Sequence, residues 1–192
     1  MAMSLDDNAP VLPVTGYFYM APVGTAKPDF TDPEKPGATW LNFGHTSSEN
    51  LPELGREGDE PETKGSWQRK KLRQSSPDVT YSVKINSIQA NADTFQLYYG
   101  AGASAVQADG SFRIPASPTP QTKALLMVLV DGENFLPLWA PNVSLIGSDA
   151  VALDGTQFVE FSITGTLLGH STIGGALGDW GILTAVDTTP GP

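Results

Sequence analysis

The two histidines are the first residues to test for chemistry, because imidazole is a frequent general base and metal ligand. His45 and His170 are the only ones in 192 residues, and neither stands in a His-Glu-x-x-His zinc motif. No Gly-x-Ser-x-Gly nucleophile elbow accompanies them. The chain also lacks cysteine, which excludes thiol catalysis, disulfide scaffolds and Cys-ligated metals. We therefore predict no catalytic residue, no metal site and no cofactor.

Carboxylates are plentiful, and a pair of them could hydrolyse glycosides on a β-sandwich. The sequence contexts of the candidates are equally ordinary, so that no pair stands out: Glu53, Glu57, Asp131, Glu133 and Glu160. A Gly-x-Gly run at 100–102 follows a helix-like segment rather than a strand, which is the wrong context for a dinucleotide site. We predict that the chain is not an enzyme; a hydrolase would lose turnover after a single acid-to-amide change.

Charge is distributed in blocks along the chain. The net charge of −10 argues against a general nucleic-acid-binding module. Residues 49–62, here the acidic segment, hold six acids against Arg56 alone, and residues 64–73, the basic arm, hold five bases and no acid. After Lys123 there are seven acids and no base. Two interpretations are open: both blocks are simply solvated, or the acidic segment of one copy meets the basic arm of another.

The second interpretation selects the most charged positions, with one tryptophan, as contacts between copies. They are Glu53, Glu57, Asp59, Glu60, Trp67, Arg69, Lys70, Lys71 and Arg73.

The composition predicts many short strands joined by turns, because the chain contains 20 glycines and 16 prolines. Period-two alternation or apolar runs predict strands in six segments: 17–23, 39–45, 79–85, 124–130, 135–139 and 159–163. Asp131-Gly132 is a hairpin turn signal between two of them. One short helix is predicted from Asn91 as N-cap to Gly100 as stop. The fold class is therefore mainly β, a sandwich or barrel with one short flanking α-helix.

The region between residues 46 and 79 is predicted to project from this domain. Residues 46–63 lack apolar periodicity, so we expect a long structureless loop. The basic arm alternates, but neither of its faces is apolar. Turn residues at 75–78 then predict that 64–74 and 78–88 form one hairpin.

The predicted domain organisation follows from these patterns. Residues 1–12 form an N-terminal extension, 13–185 a single β domain that contains the loop and hairpin arm at 46–79, and 186–192 a disordered tail. The longest apolar stretch has seven residues, too few to span a bilayer. The first residues show no basic and apolar regions of a secretory signal.

Several segments in order resemble a known family. Tyr-Met-Ala-Pro-Val-Gly-Thr-Ala at 19–26, followed by Trp-Leu-Asn-Phe-Gly-His-Thr at 40–46, is similar to the opening of siphophage major tail proteins, the tail tube proteins, of phages of actinobacteria. Gly-Ser-Trp-Gln at 65–68 then opens a basic strand, and 95–101 resembles the family's short helix. The resemblance covers about 15–102, with 158–163 resembling a late strand, whereas 142–156 matches nothing in it.

The resemblance implies a structural virion protein with a tail-tube-type β-sandwich and a flanking helix. Such proteins form hexameric rings that stack into the tail tube through which DNA passes into the host without specific binding. The implied partners are further copies of the chain and the tape-measure, tail-tip and tail-terminator proteins, with no membrane. The implied location is the virion tail, after synthesis in the host cytoplasm.

An alternative stays open from the residues alone. A non-enzymatic β-sandwich binding module, of carbohydrate-binding or capsid-decorating type, could use Trp67 or Trp139 as its contact platform. The two functions differ in assembly, since a binding module stays small and a tube protein polymerises.

Overall fold

A computed structural model describes residues 5–6, 9–75 and 77–186. The described residues are mainly β, with one α-helix, α1 (Ala92–Tyr98), and two short 3₁₀ helices, Ala103–Ala105 and Ser171–Ile173. This content confirms the predicted fold class. The strands are β1 Thr15–Ala21, β2 Leu41–Asn42, β3 Glu53–Glu57, β4 Thr63–Lys64, β5 Arg73–Gln74, β6 Thr80–Ser87, β7 Gln121–Asp131, β8 Asn134–Gly147, β9 Phe161–Leu167, β10 Asp179–Trp180 and β11 Thr184–Ala185.

Nine of these strands form one antiparallel sheet, in the order β2-β1-β7-β8-β9-β6-β3, and the short strands β10 and β11 also pair with β8. Strands β4 and β5 form a separate two-stranded ribbon. The chain divides into two compact units, one with the described residues up to 45, 121–144 and 168–186, the other with 46–120 and 145–167. The predicted single domain at 13–185 stays a prediction. The predicted tail lies, from 187 onward, outside the described residues, as do parts of the predicted extension.

The first unit is built around β7, which pairs with β1 on one side and forms a hairpin with β8 on the other. From 124 to 130 the side chains of β7 are apolar on both faces of the sheet. Strand β7 pairs with β1 in a register that runs from Thr15 opposite Val130 to Ala21 opposite Ala124. Gly132 takes a φ of 57° and turns the chain into β8, as the Asp-Gly signal predicts. A buried cluster forms around this hairpin: Tyr19, Ala21, Trp40, Ala124, Leu126, Val128, Phe135 and Trp139.

The second unit shows the alternation that the sequence predicts. Strand β6 pairs with β9, and Ile85 lies opposite Ile163 with both side chains buried. The neighbouring pair, Lys84 and Thr164, is polar and partly exposed. Because successive side chains point to opposite faces, this part of the sheet has one apolar and one polar face.

Helix α1 begins and ends at the predicted residues. Asn91 Oδ1 accepts a hydrogen bond of 2.9 Å from the Thr94 backbone N–H, and Gly100 follows the helix with a φ of 58°. Phe95 and Tyr98 hold the helix on the sheet, with ring centroids 5.3 and 5.5 Å from that of Phe161. The predicted helix is therefore confirmed, including its cap.

Replacing the cap residue should cost a measurable part of the stability. Asn91→Ala leaves the Thr94 N–H without its acceptor, which typically costs about 0.5–2 kcal/mol of unfolding free energy. Urea titration followed by circular dichroism measures the loss. Asn91→Asp keeps an acceptor oxygen and should stay near wild type; an equal loss in both variants would contradict the capping role.

Of three predictions for the region from 39 to 88, the first is confirmed only in part and the other two are wrong. The predicted strand at 39–45 shortens to Leu41–Asn42. Residues 46–63 are not structureless, because Glu53–Glu57 forms a strand that pairs with β6. The basic arm does not pair with 78–88; it folds back on itself, with Lys64 opposite Arg73.

No helix among the described residues is long and apolar enough to cross a membrane.

A tight turn within the basic arm is the reason that the arm pairs with itself and not with 78–88. Ser66 N–H donates to the Arg69 carbonyl at 2.7 Å, and Arg69 N–H donates back to the Ser66 carbonyl at 3.2 Å. A side chain at Gly65 would collide with the Lys70 backbone, so this close approach needs glycine. The arm thereby forms the ribbon of β4 and β5, and the acidic strand β3 pairs with the edge of β6 instead.

Candidate inter-subunit surface

Strand β3 lies at the end of the sheet order and carries the first two predicted contact residues. Its register with β6 places Glu53 opposite Lys84 and Glu57 opposite Thr80. Among the described strands none pairs with its outer side, which leaves a row of backbone N–H and C=O groups open to another chain. Leu54 and Arg56 have no predicted role, although both are exposed on this edge. Five polar-rich residues were too short a pattern to reveal the strand.

From Gly58 to Ser75 every residue is exposed. Asp59 and Glu60 lie in the connection from β3 to the ribbon, and the basic arm carries the remaining predicted contacts on the ribbon and its turn. A hydrogen bond of 2.9 Å from Ser75 N–H to the Glu62 carbonyl closes the base of this hairpin. The arm is thus held by its own backbone, and none of its side chains contributes to a core.

The four tryptophans divide into two groups. Trp40 and Trp139 are buried in the first unit, where Trp139 Nε1 donates to the Thr25 carbonyl at 3.2 Å. Trp180 is half exposed, and Trp67 is 99% exposed in the turn of the basic arm. A binding platform at Trp139 is therefore wrong, because only 4% of that residue reaches solvent. An indole as exposed as Trp67 is typical of an anchor for another surface.

Among the described residues of one chain, a single ion pair joins the acidic segment to the basic arm. The arm makes one ion pair, from Lys64 to Glu62 at 3.9 Å, in which both side chains are about three-quarters exposed. Arg69, Lys70, Lys71 and Arg73 have no described carboxylate within 4.0 Å. Such an exposed pair contributes little to stability. The predicted contact residues therefore present their charge outward.

Lys84, on the polar face of β6, has a closer carboxylate partner than the bases of the basic arm. Its Nζ lies 2.7 Å from Asp149 Oδ2. This hydrogen bond raises the pKa of Lys84, and nearby Glu53 raises it further. The same bond holds the pKa of Asp149 below its usual range. Glu53 thus lies near a lysine that is already paired with Asp149.

One of the two histidines, His170, has a structural role. His170 Nδ1 accepts from the Thr172 backbone N–H at 3.3 Å, and its ring lies against Gly24. His45 is exposed. No group of three or more potential metal-ligating side chains occurs within the described ranges.

Comparisons with known proteins agree on one family. Residues 3–182 match the phage tail tube protein family. The chain is 36% identical over 179 residues to the major tail protein Gp23 of Mycobacterium phage L5, an alignment that covers 88% of this chain and 89% of the relative. The major tail protein Gp23 of Mycobacterium phage D29 gives the same identity and coverage.

These matches confirm the predicted resemblance to siphophage major tail proteins and the prediction that the chain is not an enzyme. They also place it among the components of the virion tail. The chain belongs to the phage tail tube protein family and is a structural protein of the phage tail.

Proposed function

We propose that this chain polymerises into stacked rings that form the tail tube and conduct phage DNA into the host. The observation that supports it best is the exposed hairpin from 62 to 75. Its Trp67 is 99% exposed, and four of its bases have no described carboxylate within 4.0 Å: Arg69, Lys70, Lys71 and Arg73. A monomeric function gives no reason for an ordered arm of this kind. A ring of six copies is the size that the resemblance implies.

A ring requires two different surfaces on one chain that fit each other, so that the contact can repeat around an axis. The acidic segment and the basic arm supply opposite charges for such a contact. The open edge of β3 supplies backbone groups that a neighbouring copy can pair, which removes the hazard of a free edge. Both features favour association of copies over binding of a small ligand.

The charge of the chain suits a conduit for DNA. A net charge of −10 gives phosphate little to bind, whereas a basic lumen would retain DNA through counterion release. The proposed partners are other copies and the tape-measure, tail-tip and tail-terminator proteins. We place synthesis in the host cytoplasm and the mature protein in the virion tail.

Negative-stain electron microscopy over a concentration series tests the proposal. We expect rings or hollow tubes of uniform diameter above a threshold concentration. If the chain stays monomeric at every concentration, and also when tail-tip complexes are added to start assembly, self-assembly into a tube is contradicted.

A further inference from the structure

The loop between β8 and β9, residues 148–160, combines exposed apolar side chains with acidic ones. Leu153 is 85% exposed and Phe158 is 78% exposed. The loop also contains Asp149, Asp154 and Glu160, and neither lysine nor arginine. Isolated exposed apolar residues are common, but two large ones in one acidic loop indicate a surface for association.

The loop is anchored at both ends. At its start the Tyr98 hydroxyl donates to the Asp149 carbonyl, and Lys84 pairs with the Asp149 carboxylate. At its end Asn50 Nδ2 donates to Glu160 Oε2 at 2.8 Å. In the middle, Asp154 Oδ1 accepts from the Thr156 backbone N–H at 2.9 Å and closes a turn. The apolar side chains are therefore presented by a fixed loop, which lowers the entropy lost when a partner binds.

The same anchors place the loop beside the acidic segment. Lys84 lies opposite Glu53 in the β3–β6 pair and binds Asp149, while Asn50 of the acidic segment binds Glu160. Within the second unit, Glu53 and the start of the loop thus lie near the same lysine, and the end of the loop is bonded to the acidic segment itself. Residues 57–62 of the acidic segment contain Pro61 as their only apolar residue. The β8–β9 loop supplies the large apolar side chains that these residues lack.

We propose that the β8–β9 loop of one copy is the docking site for Trp67 and the basic arm of another copy. This inference rests on the proposed function and names the surface that receives the arm. The arm carries an exposed indole beside Arg69, Lys70 and Lys71, and the loop offers Leu153 and Phe158 among acids, so apolar area and charge match together. In the single chain Trp67 is 99% exposed, so its own loop does not cover it.

The absence of cysteine allows a direct test by disulfide crosslinking. Gln68→Cys places a thiol beside Trp67, and Gln157→Cys places one beside Phe158; both positions are exposed. Under oxidation we expect the double variant to give a ladder of covalent multimers, while each single variant gives dimers at most. A second double variant, Gln68→Cys with Glu60→Cys, tests the far end of the acidic segment and should give no ladder.

Each outcome has a defined meaning. Tubes with a ladder only in the Gln157→Cys pair support the docking site. Tubes with no ladder there, or with a ladder in the Glu60→Cys pair instead, overturn the docking site and leave the proposed function intact. If the wild-type chain forms neither tubes nor multimers, also when tail-tip complexes are added, the proposed function itself is contradicted.

A second measurement uses the threshold concentration for tube formation. Leu153→Ala combined with Phe158→Ala removes the apolar part of the docking site and should raise the threshold at least tenfold, without changing the circular dichroism spectrum. Ile114→Ala, an exposed position in the same unit, should leave it unchanged. An unchanged threshold in the double variant overturns the proposal.

Discussion

Reversing three charges in the basic arm should abolish tube formation and leave the chain folded. The variant combines Arg69→Glu, Lys70→Glu and Lys71→Glu. All three residues are exposed and have no described carboxylate within ion-pair distance, so the fold loses no contact. Between copies, however, attraction to the acidic surface becomes repulsion, and like charges brought together cost several kcal/mol. Electron microscopy should show no tubes at concentrations where the wild type forms them.

A control variant separates this local effect from the change in net charge. Lys27→Glu, Arg113→Glu and Lys123→Glu reverse three bases elsewhere that are exposed or partly exposed and have no described carboxylate within 4.0 Å, and they give the same net charge. This control should still assemble. Normal tubes from the arm variant would refute the role of the arm, and equal loss in both variants would show that overall charge alone prevents assembly.

The elements that the sequence predicts well are specified by neighbouring residues. Asn91 provides the helix cap because its side chain reaches an N–H three residues later. Asp131-Gly132 makes the hairpin because glycine accepts a positive φ. Alternation in β6 and β9 reports one buried face. These signals lie within a few residues, so no knowledge of the remaining fold is needed to read them.

The errors concern the choice of partner across the chain. Both the basic arm and the acidic strand β3 could pair with β6 by proximity, and neither is apolar enough for periodicity to decide. The turn at Ser66 and Arg69 lets the arm close on itself, and β3 then takes the edge of β6. A turn without Asn-Gly or Asp-Gly carries a weak signal in sequence.

The predicted contact residues illustrate the same limit. Charge selected Arg69, Lys70 and Lys71 as predicted contacts, since charge blocks are visible in the sequence. Trp67 and Trp139 look alike in sequence, although one is exposed and the other buried. Phe158 was not among the predicted contacts, because an exposed aromatic residue in a loop has no periodic signature. Tertiary burial decides such cases, and it depends on distant residues.

The largest loss of stability from a single change is expected at Phe135. The residue is 1% exposed and belongs to the buried cluster of the first unit, where its ring stacks on Phe30 with centroids 5.2 Å apart. Phe135→Ala removes that contact and leaves a cavity between β8 and its neighbours, which typically costs about 3–5 kcal/mol. Since small domains are stable by only about 5–15 kcal/mol, the variant should unfold at a much lower urea concentration.

Phe158→Ala makes the same chemical change on the exposed β8–β9 loop and provides the matched control. Its aromatic ring is 78% exposed, so its removal should shift the unfolding free energy by no more than about 0.5 kcal/mol. Phe135→Leu, which fills most of the volume, should fall between the two. A loss below about 1 kcal/mol for Phe135→Ala would contradict the central position of this ring in the core, because a cavity of that size cannot be closed by small shifts of well-packed neighbours.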